Sequence, residues 1–448
     1  MSNNIVLKKG LNIPLAGVPD LGVKRTVAAG TVAVQPSDFK GLNPRLLVRE
    51  GDKVLAGSPV LADKKNPDVL VTSPVSGVVK EVVRGDKRKL LAVLIDADKD
   101  QEYLDFGPAK DGLTSEEVKD KLLKSGLWAA FIQRPYGIVA DPAAKPKAIF
   151  ISAFSTAPLA ADTEFTLGKE VEALQAGVSA LAKLAKVHVS VKSASSAFAH
   201  LRDAEIHVVE GKHPAGNVGV QISHICPIRK EETVWTVSPA LLAAIGRLFT
   251  TGRYDVRRKV AVGGPAAVAP AYVDALPGIP MSELKDFFGN AEGLRIISGD
   301  VLTGKAVGAE GYLGFFDTQV TVIKEGTEPE LLGWARPFRF NQYSADHSYF
   351  NWCLGRLDKE VAMDTNLHGG PRAFVMPDSY YSKYLPMDIY PLYLVKACLA
   401  GDIDNMEKYG IYEVLPEDFA LVEFQDPSKN YIQDIIENGI NLMLKEMA

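Results

Sequence analysis

Residues 48–82 read VREGDKVLAGSPVLADKKNPDVLVTSPVSGVVKEV, and this stretch decides the fold of the first part of the chain. Short runs rich in branched apolar residues alternate with glycine, proline and aspartate, a pattern typical of short β-strands joined by tight turns. The same texture extends outward, and strands are predicted at 31–34, 69–72, 77–83 and 90–95. We therefore predict a small β-domain over residues 1–100.

The turn at Lys64 and Lys65 gives this domain a likeness to lipoyl and biotinyl carrier domains, which have a barrel-sandwich fold. Asp63-Lys64 fits the start of the lipoyl attachment motif, but Lys65-Asn66-Pro67-Asp68 makes a longer, stiffer loop, and no methionine of a biotin motif is nearby. We predict a barrel-sandwich scaffold whose lysines are unmodified. A lipoyl-type carrier component of a soluble multienzyme complex is the alternative, and the intact mass of the chain distinguishes the two.

Residues 101–255 alternate between strand and helix patterns, which predicts a Rossmann-like α/β domain. Thr114 with Glu117 forms a capping box that starts one helix, and Ser238-Pro239 starts another that ends at Gly252. A helix is also predicted over 166–185, and strands over 147–154, 186–192 and 205–211. After the first of these strands no glycine occurs before position 168, so the fingerprint of a dinucleotide site is missing.

Two further domains complete the predicted architecture. Residues 256–330 have the strand–helix–strand order of a β-grasp (SLBB-like) domain, with a helix over 280–289. The run GDVLTGKA at 299–306 matches part of a phosphate-binding loop, but it lacks the Ser or Thr and the helix that such a loop requires, so we interpret it as a turn. Residues 331–448 are predicted to form a helical domain, with helices over 386–402 and 430–447. The fold class is α/β multidomain.

Bulk composition is that of an ordinary soluble globular protein. The 448 residues are 47% hydrophobic and 23% charged, and no apolar run reaches the ~18–20 residues needed to cross a bilayer. We therefore expect no membrane span, no signal peptide and a location in the cytoplasm. Residues 401–448 hold eleven acidic and three basic side chains. The net charge of −5 for the whole chain disfavours nucleic acid as a partner, and an anionic lipid surface would repel the acidic end.

Cysteine and histidine spacing predicts no metal site. The three cysteines are far apart in sequence, so they indicate neither a disulfide framework nor an iron–sulfur cluster. Five of the seven histidines fall within 188–224 but none is one helical turn from another. We interpret the two in strand patterns, His188 and His207, as hydrogen-bonded structural residues. No catalytic, cofactor-binding or metal-binding residue is assigned.

Aromatic residues concentrate in positions 334–352, where seven of nineteen side chains are aromatic. Such clusters form cores or partner interfaces, and a flat aromatic cleft could also receive a quinone ring. The residues predicted to form a partner or quinone interface are Trp334, Arg336, Phe338, Tyr343 and Trp352.

The motifs occur in an order that resembles the A-subunit family of the bacterial sodium-translocating NADH:quinone oxidoreductase (Nqr). The matching segments are IVLKKGLNIPLAGVP, the carrier-like stretch above, GLWAAFIQRPYG, AIGRLFTTG, VAVGGPAA, RIISGDVLTG and GGPRAFVMPDSYYSKYLPMDIYPLYLVKA. The family is related to the C-type subunits of Rnf complexes and to the flavoprotein subunit of complex I. Where those relatives carry a glycine-rich loop and cluster cysteines, this chain has SGLWAAFIQRPYG and FQDPSK, with Asp426 in a cysteine position.

The resemblance implies a peripheral subunit on the cytoplasmic face of the bacterial inner membrane. The complex would couple NADH oxidation and quinone reduction to Na+ export, and this chain would dock on other Nqr subunits, chiefly on the NqrB subunit in the membrane. Flavins and iron–sulfur centres are expected in the partner subunits and none in this chain, with quinone as a possible ligand. The other alternative is a self-sufficient NADH–flavin dehydrogenase, which would purify as a yellow protein.

Overall fold

Residues 3–26 supply strands to two sheets formed mostly by later parts of the chain. The protein is represented by a computed structural model that describes residues 3–28, 30–109, 112–328, 330–333, 336–340, 342–345, 360–367 and 375–446. Strand β1 (Asn3–Val6) joins the α/β sheet, and strand β2 (Asp20–Thr26) joins the sheet that follows it in sequence. The segment therefore connects the α/β sheet, the six-stranded sheet that contains β2 and the β-domain that follows it in sequence. The domain limits predicted from the sequence stay a prediction.

The first domain consists of two antiparallel sheets with branched side chains between them, as a barrel-sandwich requires. Strand order is β3-β9-β8-β5 in one sheet and β4-β6-β7 in the other. The strands are β3 (Thr31–Val34), β4 (Pro44–Leu46), β5 (Lys53–Val54), β6 (Pro59–Asp63), β7 (Leu70–Thr72), β8 (Gly77–Arg84) and β9 (Leu90–Ala97). The four strands predicted from the sequence are confirmed to within two residues.

Lys64 and Lys65 lie exposed in the connection between β6 and β7. Asp63 organises this loop, since its two carboxylate oxygens accept from the backbone N–H groups of Asn43 at 2.9 Å and Asn66 at 3.2 Å. The loop is thus tied down by an acidic side chain on its own strand. The unmodified state of the two lysines stays a prediction.

The second domain has a seven-stranded sheet in the order β1-β14-β13-β12-β15-β10-β11. Its first five strands run parallel, and β10 and β11 form an antiparallel edge. The strands are β10 (Ile132–Arg134), β11 (Ile138–Val139), β12 (Ile149–Ser152), β13 (Val187–Val191), β14 (Glu205–Glu210) and β15 (Val234–Thr236). The helices are α1 (Ser115–Ser125), α2 (Thr163–Leu167), α3 (Val171–Leu181), α4 (Val218–Ile225) and α5 (Pro239–Thr251).

Helix ends in this domain follow the capping residues. Thr114 and Glu117 form the predicted capping box of α1, and Ser238 caps α5, which stops at a left-handed Gly252. The single helix predicted over 166–185 is wrong, because the chain breaks into α2 and α3 around Gly168. A β-carbon at 168 would lie 2.4 Å from the carbonyl oxygen of Glu164, so this tight turn requires glycine.

Opposite faces of the α/β sheet bury different clusters. Ile149, Ile151 and Val189 belong to the main core, against which α3 and α5 pack. Phe150 faces the other way, into a smaller cluster with Ile222 of α4. This two-sided cover is the doubly wound arrangement that a parallel sheet needs.

The third domain has a six-stranded sheet in the order β19-β18-β20-β16-β17-β2. Its elements are β16 (Arg258–Gly263), β17 (Ala271–Ala275), α6 (Lys285–Phe288), β18 (Leu294–Ser298), β19 (Lys305–Ala306) and β20 (Gln319–Lys324). A 3-10 turn at Met281–Leu284 leads into α6 where a longer helix was predicted. The GDVLTGKA run forms a turn between β18 and β19, in which Asp300 accepts from the N–H groups of Leu302 and Thr303.

The last domain is helical, as predicted, and is built around α8 and α11. Its helices are α7 (Asp378–Tyr381), α8 (Pro391–Ala400), α9 (Ile403–Tyr409), α10 (Ala420–Gln425) and α11 (Ile432–Glu446). Leu394, Met406 and Ile436 are buried in its core, which also takes in Val220 of α4. Across the described ranges, no helix combines the length and apolarity needed to cross a membrane.

Candidate functional site

A cleft opens at the carboxyl ends of β12 and β15, and we call it the switch-point cleft. Within the sheet, β12 lies between β13 and β15. The chain passes from β12 to β13 on one flank, while β15 pairs with β12 on the other flank. In open α/β sheets this reversal of strand order is where ligands bind. The cleft has a volume of about 330 Å³. Parts of three domains line it, since Ser152, Asp300 and Glu417 all face it.

The floor of the cleft is fixed by hydrogen bonds at the end of β12. The hydroxyl oxygen of Ser152 lies 2.9 Å from the carbonyl oxygens of both Phe154 and Gly216. Gln221 of α4 donates from Nε2 to that hydroxyl at 2.8 Å and to the carbonyl of Ala215 at 3.1 Å. The loop after β12 and the start of α4 are therefore locked to each other, so the floor is rigid.

One side of the cleft ends in an ion triad of Arg134, Glu417 and Asp418, in which the Glu417 side chain is partly exposed. Arg134 is 1% exposed and Asp418 is fully buried. The guanidinium donates to Asp418 Oδ2 at 3.0 Å and also pairs with Glu417. Burial opposes the charge of Arg134, but the two carboxylates outweigh it and raise the pKa of Arg134 above its ordinary value. The triad joins β10 to the helical domain.

A second pocket adjoins the cleft and shares Ser152 and Asp300 with it, and this pocket is lined by Arg258, which is 5% exposed. Its Nε donates to the carbonyl of Val256 at 3.3 Å, while both terminal nitrogens are buried without a hydrogen-bond partner in the described part of the chain. The ring of Phe315 lies 5.8 Å from the guanidinium carbon. Burial lowers the pKa of Arg258 to about 10. A buried guanidinium with four unsatisfied N–H bonds is suited to an acceptor-rich ligand.

His213 adds a neutral polar group to the cleft. Its Nδ1 lies 3.2 Å from the hydroxyl of Thr156, and its backbone N–H donates to Asn12 Oδ1 at 2.9 Å. Burial lowers the pKa of His213 to about 4, so the ring is uncharged at neutral pH. The cleft can therefore offer hydrogen bonds from His213 without adding charge at that position.

Residues 125–137, which the sequence analysis expects in the place of a glycine-rich loop, pack into the core. Trp128 and Phe131 are buried and pack with Trp235, with ring centroids 5.2–5.6 Å apart. Trp128 donates from Nε1 to the carbonyl of Ala140 at 2.8 Å. Only Ala130, Ile132 and Arg134 of this segment reach the switch-point cleft. The segment thus presents side chains where a nucleotide loop would present bare backbone N–H groups.

Asp426, which the sequence analysis expects in a cysteine position, organises a turn. It is fully buried and accepts from the N–H of Ser428 at 3.0 Å and from both the backbone N–H and the side-chain amide of Asn430, at 3.1 and 2.8 Å. This carboxylate orders the loop that leads into α11. Its role in the fold is to accept hydrogen bonds from the backbone of its own turn.

The predicted aromatic interface lies only partly within the described residues. Trp334 and Trp352 fall outside them. Arg336 is exposed, with Nη1 3.9 Å from Glu330, and Phe338 is 71% exposed. Tyr343 stacks on Phe424 with ring centroids 6.3 Å apart. The three described residues do not line the switch-point cleft, and their role at an interface stays a prediction.

Sequence reasoning missed the charged residues of the cleft. Arg258 begins a strand within the run RYDVRRKV, where several basic residues look alike and nothing marks one as buried. Arg134 and Asp418 are 284 positions apart, so no local pattern could pair them. By contrast, Glu205 and His207 occupy alternate positions of one strand, and this spacing alone places them on the same face.

Three family models match the chain in order. An NqrA N-terminal barrel-sandwich hybrid domain matches residues 5–98, an NqrA second alpha/beta domain matches 113–254, and an NQRA C-terminal domain of SLBB type matches 259–309. These matches agree with the barrel-sandwich, α/β and β-grasp domains predicted from the sequence.

Similar proteins span nearly the whole chain. The A-type subunit of the Na(+)-translocating NADH-quinone reductase from Yersinia pestis bv. Antiqua (strain Angola) is 38% identical over 432 residues, covering 95% of this chain and 96% of that protein. The corresponding protein of Vibrio vulnificus (strain YJ016), with the same name, is 36% identical over 450 residues, covering 99% and 100%. A solved NAD+-reducing NiFe-hydrogenase chain in the air-oxidized state is 12% identical with a TM-score of 0.32, covering 47% of each chain.

Proposed function

Because this chain belongs to the NqrA family of the Na(+)-translocating NADH-quinone reductase, we propose that it works without a redox cofactor of its own on the cytoplasmic face of the bacterial inner membrane. The complex couples NADH oxidation and quinone reduction to Na+ translocation, and we propose export as the direction. The other Nqr subunits are its partners, and the NqrB subunit in the membrane is the proposed main docking surface.

The observation that carries the non-redox role is the packing of residues 125–137. A flavin or nicotinamide phosphate needs backbone N–H groups at close approach, and here Trp128 and Phe131 are instead locked into a cluster with Trp235. Asp426, in turn, uses both carboxylate oxygens within its own loop. We expect the purified chain to be colourless, and stoichiometric flavin or iron in it would contradict the proposal.

Docking through a partner is tested by fractionation of membranes. The full set of subunits is expressed, and then sets from which the membrane subunits are omitted one by one. We expect the chain to remain with washed membranes in the full set and to appear in the supernatant when NqrB is missing. Retention of the purified chain on bare anionic liposomes would overturn partner-dependent docking, since residues 401–448 carry a large acidic excess.

We propose the switch-point cleft as the place where this chain contacts quinone. A quinone presents an apolar ring and two carbonyl acceptors. Phe154 and Phe316 line the cleft, and Arg258 lines the pocket that adjoins it, with buried terminal nitrogens that have no hydrogen-bond partner among the described residues. A photoreactive quinone should label this chain in the intact complex, with labelling suppressed by excess quinone. Arg258→Gln should reduce labelling severalfold, whereas Arg253→Gln, at an exposed position beside Tyr103, should not. Equal labelling of both variants would remove the cleft from the quinone path.

A further inference from the structure

Three side chains with metal-binding atoms meet at the edge of the α/β sheet, away from the switch-point cleft. Strands β13 and β14 are parallel neighbours, with His188 opposite Glu205 and Ser190 opposite His207. Side chains two positions apart on a strand project from the same face. His188, Glu205 and His207 therefore share one face, the face on which Phe150 also lies.

The ligand atoms are already close together. Nδ1 of His188 lies 2.9 Å from Nε2 of His207 and 3.5 Å from an oxygen of Glu205. One ligand atom from each of the three residues lies within 4.8 Å of the others. In a tetrahedral site with metal–nitrogen bonds of about 2.0–2.1 Å, two nitrogens sit roughly 3.3–3.4 Å apart. Opening the pair by a few tenths of an ångström admits an ion.

The two rings are held in place, and their facing nitrogens share one hydrogen bond whose proton an incoming ion would displace. His188 is 4% exposed and His207 is 3% exposed. Phe150 stacks on His188 with ring centroids 4.7 Å apart and 13° between the planes.

We propose that His188, Glu205 and His207 form a binding site for Zn2+ or a similar divalent transition ion. Two imidazoles and one carboxylate suit zinc, cobalt and nickel, whereas Mg2+ and Ca2+ prefer oxygen ligands only. The Glu205 side chain is 54% exposed, so the cluster opens to solvent at the strand ends. A fourth position remains there for water or for a ligand from a partner.

Two features limit the affinity of this site for a metal ion. Lys186 Nζ lies 2.8 Å from the other oxygen of Glu205, so an incoming ion competes with an ammonium group for that carboxylate. Nδ1 of His207 is buried without a hydrogen-bond partner in the described residues. In tight zinc sites, the histidine nitrogen that does not bind the metal usually donates a hydrogen bond. We therefore expect binding that is specific but weaker than that of a closed structural zinc site.

The test uses the full chain without a polyhistidine tag, treated with a chelator and then titrated with Co2+ and with Zn2+. We expect one Co2+ per chain, visible absorption of a four- or five-coordinate ion, its loss on addition of one equivalent of Zn2+, and a rise in melting temperature with Zn2+ but not with Mg2+. Absence of saturable binding in the untagged wild-type chain would overturn the proposal.

Matched variants separate this site from general surface binding. His207→Gln should abolish the cobalt spectrum, and Glu205→Gln should weaken Zn2+ binding by roughly tenfold or more. Controls are His224→Gln, at an exposed histidine of the same domain, and Glu232→Gln, which removes a comparable pair with Lys147 at 2.9 Å. Equal losses in the controls would contradict the assignment. If His207→Gln fails to fold by circular dichroism, the exposed Glu205→Gln variant decides.

Discussion

The first turn of α4 passes so close to the ion triad that position 219 has no room for a side chain. A β-carbon there would lie 2.3 Å from Nη1 of Arg134 and 2.6 Å from both carboxylate oxygens of Asp418. Glycine in a helix normally costs about 1 kcal/mol relative to alanine. At position 219 the lack of a side chain leaves room for Arg134 to pair with Glu417 and Asp418.

Gly219→Ala is therefore expected to destabilise the protein although alanine is the better helix former. The forced shift of buried charges should lower the free energy of unfolding by about 1–3 kcal/mol. Urea unfolding of the isolated chain measures it. Gly22→Ala is the control, because a β-carbon at Gly22 meets nothing within 4 Å. A gain in stability for Gly219→Ala would show that the triad shifts to admit the methyl group at little cost in free energy.

Asp38 illustrates a partly buried acid whose charge works against the fold. It accepts from the backbone N–H of Phe315 at 2.8 Å, and burial raises the pKa of Asp38 from 3.8 to about 6. The folded state thus holds the proton more tightly than the unfolded state does. The cost of ionisation is absent below the unfolded pKa, grows between about 4 and 6, and is complete above about 6.

Asp38→Asn should consequently stabilise the chain at pH 7.5 by about 1–2 kcal/mol and have little effect near pH 4. Asparagine keeps an oxygen for the N–H of Phe315 and carries no charge. Denaturant unfolding at a series of pH values measures the difference between variant and wild type. A difference that stays constant with pH would mean that the carboxylate is solvated in the folded state.

Among the elements, those with strong local signals were predicted well. The helix over 239–251 begins after Ser238, has proline in its first turn and ends at glycine, and each of these signals acts within a few residues. The break between α2 and α3 was missed, because apolar spacing continues through Gly168 and only a contact with Glu164 reveals the turn. Apolar periodicity reports which face is buried, but it does not report where a backbone bends.

The turn before α11 depends on one carboxylate. Asp426→Ala would leave the N–H groups of Ser428 and Asn430 buried without their acceptor. We expect a loss of about 2–4 kcal/mol in unfolding free energy, because each unsatisfied donor costs about 1–3 kcal/mol. Asp434→Ala, at an exposed position of α11, is the control. Chemical denaturation with fluorescence detection compares them, and equal stabilities would show that the turn does not need the carboxylate.

For the whole molecule, the domain sequence and the family followed from motif order, but the cleft did not. The charged residues of the cleft and of the pocket that adjoins it come from β10, β16, the turn after β18 and the segment before α10, and only the folded chain brings them together. The histidine cluster could be predicted only in part from the sequence. The alternation of Glu205 and His207 is visible in the sequence, whereas the pairing with His188 depends on strand order.

The aromatic interface prediction also belongs to the whole molecule. Trp334→Ala combined with Trp352→Ala should weaken docking on the membrane subunits by more than tenfold, since interface tryptophans typically contribute about 2 kcal/mol each. Retention on membranes that contain the other subunits measures docking, and the melting temperature of the isolated variant measures folding. Lost retention with an unchanged melting temperature supports an interface. A lowered melting temperature would place the two residues in the core.

The early position of β1 and β2 has a consequence for biosynthesis. Asn3 pairs with His207, and Asp20 pairs with Ala271. A ribosome adds about 5–20 residues each second, so these strands wait roughly 10–50 seconds before their partners emerge. During that time their hydrogen-bonding edges are open to other nascent chains or to chaperones. The α/β sheet can be completed only after β15 has been made and the β-grasp sheet only after β20, so the first segment of the chain reaches its place well after it is synthesised.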